Sequence, residues 1–384
     1  MYKIFSRSLV FPLLILFFAS VGHGYPIHRQ KGISVVYPEQ GRLRWKLGGL
    51  YNRVQGFFLH GGPLLSSSPP LEFHLSIDLG YGFSSHSWSY KLRMDRWLFR
   101  WWGIVLEGYD DIFSQDTWLV STWENTLSSI LIKEDFMDYY QRRGGIFCFR
   151  FRPKSWVDLK FGYQVEKERS SSKKTNWSLL RRDESFRENP SIEEGLLRSA
   201  FLDLKLNGVS NELVRPQGWQ ILASYRRGRG DFSFSSYRIE TRLYQRVSIR
   251  EEIVLRLKTQ VVAGDDPPKQ FLLDLGGIGS LRGYRFKEFR DGERLFLANL
   301  EYRLNFGGWL EPAGIWFLEN LQIIPFFDTG LVWSSDEVFR ADRLKSDVGL
   351  GLSGGVRDDF RLNFAWRLDK GDNFRMGLRL QRSF

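Results

Sequence analysis

Cysteine is almost missing: Cys148 is the only one in 384 residues. A single thiol excludes an intrachain disulfide framework and any multi-cysteine metal site. Histidine is scarce as well. The five present (His23, His28, His60, His74 and His86) stand outside any recognisable nucleophile motif, and Cys148 has no identifiable base partner. Catalysis needs a nucleophile or base with oriented partners, so the chain reads as a non-enzyme with no cofactor and no metal. After Val21 no run of ~18 apolar residues occurs, which excludes membrane-spanning helices from the rest of the chain. Charge of one sign is not concentrated either. Lys and Arg number 55 against 44 Asp and Glu, for a net charge of +11. They are spread along alternating segments rather than gathered in a tail or stripe, which argues against nucleic acid as a partner.

What is present is aromatic. Phe, Trp and Tyr make up 16% of the chain, with 32 Phe and 14 Trp, while 26% of residues are charged. A helical membrane protein cannot carry that much charge. A barrel can, because only alternate residues of each strand face lipid and its rims carry aromatic girdles.

The N-terminus has its own signature. Lys3 and Arg7 precede the apolar run Leu9–Val21, which is shorter than the ~20 residues of a spanning helix. Small residues, Gly22 and Gly24, follow. This pattern is a secretory signal peptide over 1–24, followed by a short periplasmic segment over 25–46 and a barrel over 47–384. No cysteine ends the run, so a lipoprotein anchor there is excluded.

Period-two alternation repeats along the chain. Phe296, Ala298, Leu300, Tyr302 and Leu304 alternate with Leu297, Asn299, Glu301 and Arg303. Leu362, Phe364, Trp366 and Leu368 alternate with Arg361, Asn363, Ala365 and Arg367. At the C-terminus Phe374, Met376, Leu378, Leu380 and Phe384 alternate with Arg375, Gly377, Arg379, Gln381 and Ser383, broken only by Arg382. Residues two apart share a face of a strand, so each segment has one apolar and one largely polar wall. A soluble sandwich uses strands of ~5–6 residues, whereas these run to the length that crosses a bilayer at a tilt, ~9–11 residues. The fold class expected is all-β: a transmembrane antiparallel β-barrel.

Fifteen strands can be marked, near 50–61, 71–83, 86–97, 100–110, 142–152, 155–168, 195–207, 216–228, 233–247, 250–263, 294–305, 320–334, 346–354, 359–369 and 372–384. Single-chain bacterial barrels have even counts, so sixteen strands are expected, the missing one before residue 46 or within 112–137. Three connections are long. Asp116–Lys133 reads as an amphipathic helix after a capping Asp or Ser, 169–194 as an exposed polar loop, and 264–293 as the third.

That third connection contains Leu275-Gly-Gly-Ile-Gly-Ser-Leu-Arg-Gly-Tyr284 and is followed by Asn299-Leu-Glu-Tyr-Arg303 and Pro325-Phe-Phe-Asp-Thr-Gly330. In this order the motifs resemble the barrel domain of the BamA/TamA superfamily, the bacterial surface antigens, over most of 47–384. The opening Tyr51-Asn-Arg-Val-Gln-Gly56 looks like that family's first barrel strand. The resemblance implies a long loop folded into the lumen, with Arg282, Gly283 and Tyr284 at its tip and Phe326, Asp328 and Gly330 as the barrel signature.

Independently, a loop beyond about 12–15 residues usually has a function or is disordered, and an arginine fork bonding a carboxylate can hold one in place. Contact of Arg282 with Asp328 is expected, with Glu301 nearby and Gly283 allowing close approach. Only 25–46 precede the barrel, too few for a POTRA module, so a barrel-only member is expected.

By resemblance the chain acts in outer-membrane biogenesis, inserting or translocating a polypeptide or delivering lipid. Its partners would be outer-membrane lipid and a polypeptide client or periplasmic helper. The working part would be a weak seam between Tyr51–Leu59 and Asn373–Phe384, where Gly377 lowers strand stability and Phe384 ends the C-terminal signal. A passive or selective outer-membrane pore is the alternative, and its Arg- and Lys-rich lumen would favour anions.

Overall fold

The computed structural model describes residues 33–36, 43–67, 73–210, 216–265, 267–306, 321–354, 360–369 and 374–380. The chain forms two compact units. The first comprises residues up to Met94 together with Ser121–Asp135 and Ser172–Asn189; the second comprises Asp95–Val120, Phe136–Ser171 and Pro190–Phe384. The signal-peptide segment 1–24 and the terminal Phe384 lie outside the described residues.

In the first unit a short strand β1 (Ile33–Val36) pairs with β2 (Leu43–Asn52), which continues antiparallel into β3 (Gly56–Ser66) and β4 (Phe73–Gly82). The next strand, β5 (Ser87–Trp97), carries the chain across the boundary between the units. Here the structure corrects the sequence reading. Tyr51-Asn-Arg-Val-Gln-Gly56 is not one strand; Asn52 pairs with Gly56, so Arg53–Gln55 form a hairpin turn. The Asn52 side-chain oxygen accepts from the backbone N–H of Val54 (2.9 Å) and Gln55 (2.8 Å), closing the turn locally. Gly56 then takes φ +66°, a conformation that costs other residues strain. The sixteenth strand is therefore β2, which starts before residue 46 as expected and takes residues 50–52 from the segment read as 50–61. It begins at Leu43, so both β1 and the start of β2 fall inside the 25–46 stretch assigned to an N-terminal segment.

Helix α1 (Thr122–Ile132) completes the first unit with the segment 172–189. Ser121 caps it by accepting from the Glu124 N–H at 3.2 Å, and Lys133 ends it in a left-handed conformation. Residues 172–189 are not a free polar loop. Leu179 N–H donates to Ile130 O and Leu180 N–H to Leu131 O, and Phe186 is buried.

The second unit is an antiparallel meander. Strands β6 (Trp102–Phe113), β7 (Tyr140–Phe151), β8 (Val157–Ser170), β9 (Gly195–Asn207), β10 (Gly218–Gly230), β11 (Phe234–Arg246) and β12 (Glu251–Ala263) pair in chain order. Then β12 pairs with β15 (Arg294–Asn305), followed by β16 (Gln322–Trp333), β17 (Lys345–Gly354), β18 (Phe360–Arg367) and β19 (Phe374–Arg379). With β2–β5, sixteen long strands lie among the described residues. Between β12 and β15 the chain makes a small hairpin of its own, β13 (Leu273–Leu275) and β14 (Phe289–Gly292).

Polarity across this sheet is inverted relative to a soluble protein. On β15 the buried phase holds Asn299, Glu301 and Arg303, while Leu300 on the other phase is 43% exposed. Likewise Arg256, Lys258, Asp328, Arg361 and Asn363 are buried, and Leu257, Phe327 and Trp366 are exposed. Charged residues are almost never fully buried unless paired. One face of the sheet is therefore built around ion pairs and the other is an apolar wall suited to lipid.

Candidate functional site: a loop tip held by buried charge

Strand register explains how the site assembles. Arg256 pairs with Asn299, Asn299 with Asp328, and Asp328 with Asp347, forming one row across β12, β15, β16 and β17. One step along the strands, Glu301 pairs with Phe326 and Phe326 with Gly349. Because strand faces alternate, Phe326, Asp328 and Gly330 all point to the buried face. Gly349 leaves room for the Phe326 ring, since an added Cβ would stand 2.2 Å from its Cζ. Gly330 does the same for the tip loop, where an added Cβ would lie 3.0 Å from Leu275 Cδ1.

The tip 276–288 lies against this face. Gly279 takes φ +84°, and a Cβ there would meet the Leu119 carbonyl oxygen at 2.2 Å. Leu281 and Tyr284 are buried in an apolar cluster with Leu275, Leu295 and Leu297. Burying such side chains stabilises the tip by roughly 1.5–3 kcal/mol each. The Tyr284 hydroxyl donates to Ser346 O at 3.1 Å. Gly283 passes so close to β17 that an added Cβ would stand 2.7 Å from Asp347 Cβ.

Between Leu281 and Gly283, Arg282 turns the other way into the polar row. Its Nε donates to Asp328 Oδ2 and its Nη2 to Asp328 Oδ1, both at 2.7 Å, and its Nη1 donates to Glu301 Oε1 at 2.7 Å. The guanidinium also stacks on Phe326, 3.6 Å from the ring centroid. Asn299 Nδ2 donates to both Ser280 O and Asp328 Oδ1 at 2.8 Å, and Arg256 Nη1 donates to Gly279 O at 2.9 Å. Glu301 is shared further: Arg303 Nη2 and Arg361 Nη1 each approach it at 2.8 Å. The surrounding carboxylates hold the Arg282 guanidinium above its usual pKa, so it stays charged throughout the accessible range.

Among the sequence-selected residues, Arg282, Asp328, Glu301 and Phe326 thus meet directly, with Gly283, Tyr284 and Gly330 shaping the tip's seat. Gly377 stands apart on β19 opposite Asn363, with nothing within 4 Å of an added Cβ. Sequence reasoning missed a second anchor. The Lys287 ammonium sits among Asp116 (2.9 Å), Asp138 (2.8 Å) and Asp274 (3.1 Å), which raise its pKa. It also missed Arg303, Arg361 and Asn299 as partners of the hub, although their places on the polar phase of the alternation could have suggested them.

The first unit has a separate buried arginine at the β2–β3 turn. Arg53 Nη1 lies 3.1 Å from Asp135 Oδ1, and its Nη2 donates to Asn189 Oδ1 at 2.8 Å. Its backbone N–H donates to Asp135 Oδ2 at 3.0 Å, and its carbonyl accepts from Lys174 N–H at 2.8 Å.

Long antiparallel strands with an apolar outer face, an ionic inner face and a loop tied to that inner face define an outer-membrane β-barrel with an internal loop. The chain belongs to the Omp85 superfamily, whose domain it matches over residues 144–382. Residues 39–204 match the C-terminal domain of a family of unknown function, DUF5686. Among solved structures it is similar to BamA from Haemophilus ducreyi lacking POTRA domains 1–3, at 12% identity and a TM-score of 0.60, covering 89% of this chain and 70% of that one. It also matches CdiB from Acinetobacter baumannii at 14% identity and a TM-score of 0.44, covering 88% of this chain and 59% of that one. No curated protein matches the sequence. The BamA likeness shows the fold, and membership of the Omp85 superfamily gives the outer membrane as the location.

Proposed function

We propose that this barrel acts in outer-membrane biogenesis, inserting or translocating a polypeptide or delivering lipid, after export by a signal peptide over 1–24. The observation that carries this reading is the Arg282 anchor. A tip fastened to the inner face by bidentate bonds to Asp328 and a bond to Glu301 suits a device that controls the lumen better than a free passage. Superfamily membership supports the same role. The working edge would be β19, whose ladder with β18 runs from Trp366–Phe374 to Arg361–Arg379; poor pairing along its other side would leave strand groups able to template a client strand. Gly377 would weaken that strand.

The experiment places a photocrosslinking residue at successive positions of 374–379 in living cells. Adducts with polypeptides or with a periplasmic helper are expected. Conductance in planar bilayers supplies the counter-test: the intact protein should stay closed, and removal of 276–288 should open it. A stable open channel in the intact protein, with no adducts, would favour a passive pore instead.

A further inference from the structure

A cavity of about 310 Å³ lies within the second unit, apart from the Arg282 hub, between the inner faces of β11 and β12, the turn at Gln115–Trp118 and the β13–β14 hairpin. Its two sides differ in charge balance. On one, Lys287 is surrounded by three carboxylates. On the other, Lys258 lines the cavity and is only 2% exposed, yet among the described residues no carboxylate pairs with it and no hydrogen bond satisfies it. Its contact is the Trp118 ring, whose centroid lies 3.1 Å from Nζ. A ring face attracts a cation but leaves most of the ammonium's three N–H donors without an acceptor.

The carboxylate paired with Lys258 in register is already engaged. Glu240 stands opposite Lys258 in strand register, but it takes Arg242 at 2.6 Å and Arg256 at 3.0 Å. Arg238, on the same face of β11 and itself lining the cavity, adds a further cation. A buried lysine amine short of acceptors, beside a second cation and open to a polar space, gains the charge partner it lacks when a negatively charged group enters.

We propose that this cavity binds a phosphate-type oxyanion, with Lys258 as the charged anchor, Arg238 as the second contact and Gln260 as an orienting amide donor. The carboxylates gathered around Lys287 repel a second anion, so one group binds, and it sits toward the β11–β12 side. Free phosphate and the headgroup of an anionic lipid share this chemistry.

The test uses the full chain in dodecyl maltoside micelles, with inorganic phosphate followed by titration calorimetry. Saturable binding is expected, weakened at least tenfold by Lys258→Met, which keeps the aliphatic stem. Arg238→Gln, at an exposed position, should weaken it several-fold. Heat-modifiable gel mobility checks that both variants fold. Repeating the titration with phosphatidylglycerol added to the micelles separates the sources: competition assigns the site to a lipid headgroup, and its absence to a soluble anion. Absence of saturable binding in the unmodified chain, or equal affinity in both folded variants, overturns the proposal.

Discussion

Two buried arginines, Arg53 and Arg282, each sit at the end of a chain reversal and bond a distant carboxylate, but they are built on different supports. Arg53 reaches Asp135 on the irregular stretch after α1, and much of its work is done by its backbone, whose N–H and carbonyl are both engaged. Arg282 reaches Asp328 and Glu301, which stand on neighbouring strands held in register. Asp135 would keep two donors without the Arg53 side chain, namely Asn125 Nδ2 and the backbone N–H of residue 53. Asp328 would likewise keep Asn299 Nδ2 and the backbone N–H of residue 282. But the Arg282 side chain makes three 2.7 Å bonds to two carboxylates on neighbouring strands, whereas the Arg53 side chain lies 3.1 Å from Asp135. The first arrangement is a turn lock shared with the backbone; the second ties one side chain to carboxylates of two paired strands.

The largest effect should therefore come from Arg282→Ala. Removing one partner of a buried pair costs about 3–5 kcal/mol, read as a lower unfolding midpoint in lipid and faster proteolysis of 276–288. Arg53→Ala should cost less, about 1–3 kcal/mol, measured the same way. Equal losses would erase the distinction.

Gly283→Ala sharpens the comparison at the tip. Its new methyl would press on Asp347 Cβ, and overpacking of this kind costs about 1–3 kcal/mol. Gly377→Ala, with open space around it, should stay within about 0.5 kcal/mol. Unfolding midpoints of the two variants should separate accordingly.

The smallest effect concerns pH. Lys287 is held above its ordinary value by Asp116, Asp138 and Asp274. A raised ammonium contributes stability that is complete below the unfolded lysine pKa of about 10.4 and is lost as pH climbs through the folded one. Protease protection of the tip should be level from neutral pH to about 10 and fall only beyond it. Lys287→Met should remove that alkaline step.

The contrast between the arginines also marks what was legible in the sequence. Strands from β6 onward could be read because a lipid-facing wall forces strict alternation; 195–207 and 294–305 match to the residue. Arg282 could be placed because its partners lie on such strands, where face follows from parity. Arg53 could not. Its turn is only three residues long, so Leu50–Gly61 reads as continuous strand, and the two local signals, Asn52 and Gly56, are weak until the register is known. Nor could the seat of 172–189 be read. That segment is mostly polar, and its packing depends on Phe186 and on backbone bonds to α1, which no periodicity announces. Lys287 escaped for a related reason: its partners Asp116, Asp138 and Asp274 come from remote segments.

The central claim is that the Arg282–Asp328 pair fastens the loop tip to the inner wall. A double-mutant cycle of Arg282→Met and Asp328→Asn, followed by unfolding in lipid, tests it most directly. A coupling energy of about 2–3 kcal/mol, within the range for residues in one ion-pair network, is the predicted result. Additive losses, with coupling below about 0.5 kcal/mol, would contradict it.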